Sequence, residues 1–232
     1  MDSQVTFKTI HPGDSPAVQV RLPQGASLYA ESGAMIGMTP TIKVDGTMKG
    51  GFLGSITRKL LTGETFFFQT LKAEGGDGEV LLAPAPPGET LILDLDGSTE
   101  YLVQKGSFLA ASETIQLESK MQNLTRGLFS GEGFFISRIS GRGTLVLNSF
   151  GAIHRVDLAP GQEYIVDNHH LVAWTATTAY GIEKASSSGW MSSWTSGEGL
   201  VCRFKGPGTI YLQTRNPSAF GGWISAYIPT SG

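Results

Sequence analysis

Apolar residues along this chain come in short runs, and glycine turns separate them. Phe66-Phe67-Phe68, Phe134-Phe135-Ile136 and Leu200-Val201-Cys202 are followed, each after a glycine turn, by Val80-Leu81-Leu82, Leu145-Val146-Leu147 and Ile210-Tyr211-Leu212. Nowhere do apolar positions keep the helical period of about 3.6 residues over ten residues or more. Runs this short, bounded by glycine, predict many β-strands joined by tight turns. The expected fold is therefore all-β, with no long helix.

The runs repeat. Ser130-Gly131-Glu132-Gly133 matches Ser196-Gly197-Glu198-Gly199, and Thr62-Gly63-Glu64-Thr65 is an earlier relative. Large apolar residues precede each: Leu60 and Leu61, Leu128 and Phe129, and Trp194. A second register holds a constant offset of 63, carrying Asp94-Leu95 onto Asp157-Leu158, Glu100-Tyr101 onto Glu163-Tyr164, Val103 onto Val166, Ala110 onto Ala173 and Ser112 onto Thr175. The first copy of that half-unit is Val20-Arg21-Leu22 leading to Leu28-Tyr29-Ala30-Glu31-Ser32. The expectation is one domain over residues 1–232, made of three β repeats at approximately 18–60, 61–127 and 128–224. Each unit reads as two strand pairs and a connector, and one or two helical turns fit the connectors Ser55–Leu61 and Gln122–Gly127. Three such units suggest a compact body of pseudo-threefold symmetry. A two-sheet jelly roll of the double-stranded β-helix kind is the alternative.

Composition narrows the partners. Glycine at 31 residues and charge at 16 % suit tight turns in an ordered domain. A net charge of −3, with no basic cluster longer than Arg58-Lys59, argues against binding nucleic acid through phosphates. No apolar run approaches the roughly 18–20 residues of a membrane-crossing helix. Met1-Asp2-Ser3-Gln4 does not open as a signal or transit peptide does, and the single Cys202 suits a reducing compartment. A cytoplasmic location is the simplest expectation.

The triplicated layout, the segment Gly25-Ala26-Ser27-Leu28-Tyr29-Ala30-Glu31-Ser32-Gly33-Ala34-Met35 and the Ser-Gly-Glu-Gly connectors resemble the family named for altered inheritance of mitochondria. The resemblance runs from about Val18 to Ile224. It implies a β-only fold related to the tryptophan RNA-binding attenuation protein and, from the fungal members, a link to mitochondrial inner-membrane organisation. It implies no catalytic residues.

Candidate chemistry is sparse. Of His11, His154, His169 and His170, only the last two are adjacent, after Asp167-Asn168. Neighbouring strand residues point to opposite faces, so a turn is favoured over a metal centre. A cupin-like metal enzyme would also want a His-x-His pair, which is absent. Cys202 lies inside Leu200-Val201-Cys202-Arg203-Phe204 and reads as a small core residue. Asp94-Leu95-Asp96-Gly97 opens like a calcium loop but lacks the later acidic ligands, so a turn explains it better. Asn123-Leu124-Thr125 is a formal glycosylation sequon. No nucleophile elbow or phosphate-cradling glycine pattern occurs.

Two groups remain. Trp190, Trp194, Phe220 and Trp223 cluster near the C-terminus beside Gly189, Gly221 and Gly222. Trp194 matches Leu128 and reads as core, whereas Trp190 and Trp223 are candidates for a ligand or subunit surface. Glu64, Glu132 and Glu198 recur in all three copies, and are read as capping backbone N–H groups rather than as a cation ring. Arg58 and Arg126 precede the first two by six residues, but Ser192 holds that place in the third, so arginine pairing is not general. No catalytic, cofactor-binding or metal-binding residue is therefore expected. The function expected is a non-enzymatic structural or partner-binding role, with a homo-oligomer and an unidentified protein partner. A cupin-like metal enzyme and an RNA-binding module are the alternatives.

Overall fold

The computed structural model describes residues 4–45, 68–121, 135–184 and 200–228. Most of them lie in antiparallel strands. The first group is β1 (Thr6–Ile10), β2 (Ala17–Leu22), β3 (Ser27–Glu31), β4 (Met35–Met38), β5 (Ile42–Asp45), β6 (Phe68–Ala73) and β7 (Gly78–Leu82). The second is β8 (Thr90–Asp96), β9 (Tyr101–Gln104), β10 (Phe108–Ser112), β11 (Ile115–Met121) and β12 (Phe135–Asn148). The third is β13 (Ile153–Leu158), β14 (Glu163–Asp167), β15 (Leu171–Thr175), β16 (Ala179–Lys184), β17 (Leu200–Lys205) and β18 (Gly208–Gln213). A nine-residue helix, α1 (Pro217–Ser225), follows.

Alternation explains the strands with one wet face. In β2, Val18, Val20 and Leu22 are buried while Gln19 and Arg21 point outward. Phe108 to Ala111 of β10 and Leu171 to Trp174 of β15 are buried at every position, because these strands have hydrogen-bonded neighbours on both edges and are covered on both faces. Three hydrophobic clusters follow the chain. The first holds Val18, Leu28, Leu71 and Leu82, and the second Val103, Phe108, Ile139 and Leu145. The third is built on Trp174, Phe204 and Ile210.

The pairings have a definite order. Within the first group β2 pairs β7, β7 pairs β4, β3 pairs β6 and β6 pairs β5. In the second, the C-terminal half of β12 pairs β8 and β10, and its N-terminal half pairs β9 and β11. In the third, β18 pairs β13 and β15, and β17 pairs β14 and β16. Neighbouring groups then share sheets, because β10 pairs β3 and β15 pairs β9. The result is one eleven-stranded sheet, a four-stranded sheet β1-β2-β7-β4 and a three-stranded sheet β14-β17-β16. The connections 83–89 and 149–152 run side by side: Glu89 N–H donates to Gly151 O at 2.9 Å, and Gly151 N–H to Pro87 O at 2.9 Å.

Helix α1 is a difference from the expected pattern, short as it is. Asn216 caps it, its side chain accepting from Ala219 N–H at 3.0 Å, and Pro217 occupies the first turn, where a missing N–H costs nothing.

Candidate interaction site

The two adjacent histidines lie in a 3-10 turn, Asn168–His170, between β14 and β15. Asp167 caps it, and its Oδ1 accepts from His169 N–H at 2.9 Å and from His169 Nδ1 at 3.0 Å. His170 turns elsewhere, donating from Nδ1 to Gln213 O at 2.7 Å. Gln213 ties the turn further, donating from Nε2 to His169 O at 2.8 Å and accepting from Phe150 N–H at 2.9 Å. The turn is half-buried and bonded rather than bare to solvent, and the two rings serve different partners. Among the described residues no three His, Cys, Asp or Glu side chains converge on a common point. His11 and His154 lie apart from this turn, on exposed positions.

The acidic segment Asp94–Gly97 is split between two jobs. Asp94 accepts from Thr144 Oγ1 across the ladder at 2.9 Å, while Asp96 accepts from Ser98 N–H and Oγ at 2.8 and 2.7 Å. Those two bonds hold the Asp96 carboxyl below its ordinary range, and Gly97 takes the left-handed φ of +90° in the turn. Cys202 is fully buried in β17 between Val166 and Ile182, and burial, aided by the Asp167 charge, pushes its thiol up to about 12. Tyr101 is likewise raised to about 12, by burial first and then by its neighbour Tyr211. An open cleft of about 500 Å³ lies beside β1, β2 and β7. Its Glu79 is already engaged, accepting from Gln19 Nε2 at 2.8 Å with Arg21 Nε at 3.5 Å.

Glu64, Glu132 and Glu198, the Ser-Gly-Glu-Gly segments, the connector segments Ser55–Leu61 and Gln122–Gly127, the sequon at Asn123, and Trp190 and Trp194 lie outside the described residues.

What the described surface does offer is apolar. Helix α1 is seated by Phe220, whose ring meets Phe150 edge-on at 5.0 Å. From there the aromatics run outward along one side: Phe220 stacks on Trp223 at 5.8 Å, and Trp223 meets Tyr227 at 5.3 Å. Trp223 is 60 % exposed and Tyr227 72 % exposed, with Ile228 open beside them. Phe220 and Trp223 are i, i+3 neighbours on α1, and Tyr227 follows in the turn after the helix. A second apolar surface lies on strands. Ile36 and Met38 of β4, and Tyr164 and Ile165 of β14, are exposed although both strands belong to sheets. Trp223 was legible in the sequence as a surface candidate; uncovered strand edges were expected as well, but not which strands carry them.

This all-β body, with its charge spread thinly and its aromatics outside, matches one family. The model of the mitochondrial biogenesis AIM24 family fits residues 7–215. The chain belongs to that family. It is 34 % identical to an uncharacterized protein of Streptococcus pyogenes serotype M6 over all of this chain and 94 % of that one. A crystal structure of a Streptococcus pyogenes protein superposes with a TM-score of 0.80, at 33 % identity, over 97 % of this chain and 100 % of that one. The mitochondrial protein of Aspergillus flavus named for altered inheritance of mitochondria is 23 % identical over 86 % of this chain and 60 % of its own length. This chain therefore spans less than two thirds of that fungal relative. Among the described residues, no helix is long and apolar enough to cross a membrane.

Proposed function

We propose that this chain is a non-enzymatic partner-binding protein and that the outer face of α1 is its principal contact for another protein. The observation that carries the reading is the aromatic row. Trp223 of α1 and Tyr227 in the turn just after it stand in solvent, and among the described residues the ring contact that seats the helix on the sheets is Phe220 against Phe150. Exposed tryptophan and tyrosine supply large contact area at low entropic cost, which is why such residues dominate binding hot spots. The sheets beneath carry three buried hydrophobic clusters and serve as the platform for α1.

The platform is best understood as three copies of one unit, at 17–82, 90–148 and 153–213. The parallel pairing order of the three strand groups supports this, with closures beyond the boundaries near 60 and 127 that the sequence suggested. Likeness to the tryptophan RNA-binding attenuation protein enters only at the level of fold, since a net charge of −3 disfavours RNA as the ligand. Cytoplasmic residence and self-association belong to the same reading. A role in membrane or mitochondrial organisation is taken from the fungal relatives' names and would run through a partner.

The test is quantitative co-purification from the native cell with wild-type chain and a Trp223→Ser/Tyr227→Ser variant. A defined protein should be recovered with the wild type and fall at least tenfold with the variant, at unchanged thermal midpoint. Equal recovery with both would defeat the assignment of α1 as the contact surface.

A further inference from the structure

The three sheets have a common building rule. With β1 set aside and β12 counted as two strands, its N-terminal half fifth and its C-terminal half last, the first, last and third strands of each group form one three-stranded half, such as β13-β18-β15. The second, fifth and fourth form another, such as β3-β6-β5. Two joints fuse a half from one group to a half from the next. Joining β10 to β3 makes the six-stranded run β8-β12-β10-β3-β6-β5, and joining β15 to β9 makes β13-β18-β15-β9-β12-β11. Two halves are left over, β2-β7-β4 and β14-β17-β16, and they stand as separate sheets. Among the described residues their unpaired edges are β1, β4, β14 and β16, and of these β4 and β14 are the two strand types used at both existing joints.

Register extends the correspondence to residues. The joints pair Ala110 with Ala30, Ala111 with Tyr29 and Ser112 with Leu28, and Ala173 with Val103, Trp174 with Leu102 and Thr175 with Tyr101. Gly37, Ala110 and Ala173 occupy one position, each just past a bulge and opposite Leu81, Val146 and Tyr211. Ala30, Val103 and Val166 are likewise equivalent buried residues. Burial separates the used edges from the unused ones. Ala111 and Trp174 are fully buried at their joints, whereas their counterpart Met38 is 41 % exposed and Ile165, the counterpart of Tyr29 and Leu102, is 40 % exposed. Of the large hydrophobics exposed on described strands, only Val44 lies off β4 and β14.

We propose that β4 of one copy pairs antiparallel with β14 of a second copy, with Gly37 opposite Val166, Met38 opposite Ile165 and Thr39 opposite Tyr164. The occupant is a second copy because one chain carries both halves of the joint while leaving them in separate sheets. It deepens the partner-binding reading by naming one partner, and rests on that reading. The interface is head-to-tail, so each copy keeps one open edge, giving a ring where the rotation closes and a filament where it does not. Pro40 sets its extent. The bond Ala176 N–H to Glu100 O, at 2.8 Å, prolongs the β15·β9 joint, and Pro40 at that place has no N–H to give. A three-pair ladder gives association that depends on protein concentration.

Sedimentation velocity on the full chain tests this with Met38→Lys and Ile165→Lys, since lysine on an edge blocks strand addition. Both positions are exposed, and circular dichroism checks that both variants fold. The wild type should grow beyond monomer as concentration rises, and each variant alone should stay monomeric. An equimolar mixture should form a dimer and nothing larger, because one variant keeps β14 and the other keeps β4. Oxidising a mixture of Met38→Cys and Ile165→Cys chains should likewise give a covalent dimer. A monomeric wild type, a mixture that stays monomeric, or a single variant that still associates would each overturn the joint. Recovery of the α1 partner by the lysine variants is measured in parallel. Its retention alongside a failed mixture would reject the joint alone, and its absence even from wild type would reject the partner-binding reading.

Discussion

At the residue scale, position decides chemistry. Cys202 has the side chain of a nucleophile and the surroundings of a core alanine: β14 and β16 flank it, and its thiol is pushed up to about 12 by burial and the Asp167 charge. Only the thiolate attacks, so at pH 8 the reactive fraction is about 1 in 10,000. A thiol reagent should therefore leave the folded chain unmodified and titrate one thiol after denaturation; prompt reaction without denaturant would contradict this burial. Cys202→Ser should lower stability by about 1–3 kcal/mol, the cost of placing a hydroxyl in an apolar site. This residue was legible in sequence, because Leu200-Val201 and Phe204 around it already read as a strand core. Met38 and Ile165 were not, since nothing in a strand's own residues says whether its edge is taken.

At the scale of elements, one side-chain hydrogen bond recurs between the third and last strands of each group. Thr39 Oγ1 accepts from Glu79 N–H at 3.1 Å, Ser112 Oγ from Thr144 N–H at 3.0 Å, and Thr175 Oγ1 from Thr209 N–H at 3.1 Å. Removing the hydroxyl strands an N–H that the ladder does not use. Ser112→Ala should cost about 1 kcal/mol in urea unfolding, and Thr39→Val and Thr175→Val more, because their hydroxyls also bond Thr41 and Thr178 at 2.7 Å; a Ser112→Ala loss above both would mean the three corners are not equivalent. Ser112 and Thr175 already matched in sequence at the constant offset of 63. Thr39 escaped because, at its step of 73 to Ser112, only Leu22 and Gly33 between residues 18 and 39 keep their identity, matching Leu95 and Gly106. The step to the second group is 73 from Leu28 to Tyr101, 68 from Leu71 to Ile139 and 65 from Leu81 to Val146. A drifting offset hides a repeat that hydrogen bonding keeps. Helix α1 was also within reach, through the capping pair Asn216-Pro217, but nine residues are too few for hydrophobic periodicity to declare.

At the scale of the whole molecule, the strand groups are expected to unfold together. The fourteen-residue strand β12 belongs to both six-stranded runs, and Leu109, Ala110 and Val146 of the second group complete the first group's core. Losing any group exposes the apolar face and one ladder of its neighbour. The length is compatible with one or two domains, and a chain of 232 residues exceeds the size for which all-or-none unfolding is the usual rule. Shared sheets nevertheless favour a single transition, with calorimetric and van't Hoff enthalpies equal. The linker crossing provides a sharper version of the test. A Cβ added at Gly88 would sit 2.1 Å from the carbonyl oxygen of Ser149, a backbone atom pinned by the bond from Ser149 N–H to Glu89 O at 3.1 Å. Gly88→Ala must therefore push the two linkers apart, at a cost of about 1–3 kcal/mol as for other overpacked sites. Scanning calorimetry should show the one endotherm moved to lower temperature and still single, because the strain falls where two groups meet and is transmitted through β12 to the third. Two resolved endotherms, in wild type or variant, would mean that the groups are independent domains and that the shared sheets do not couple them.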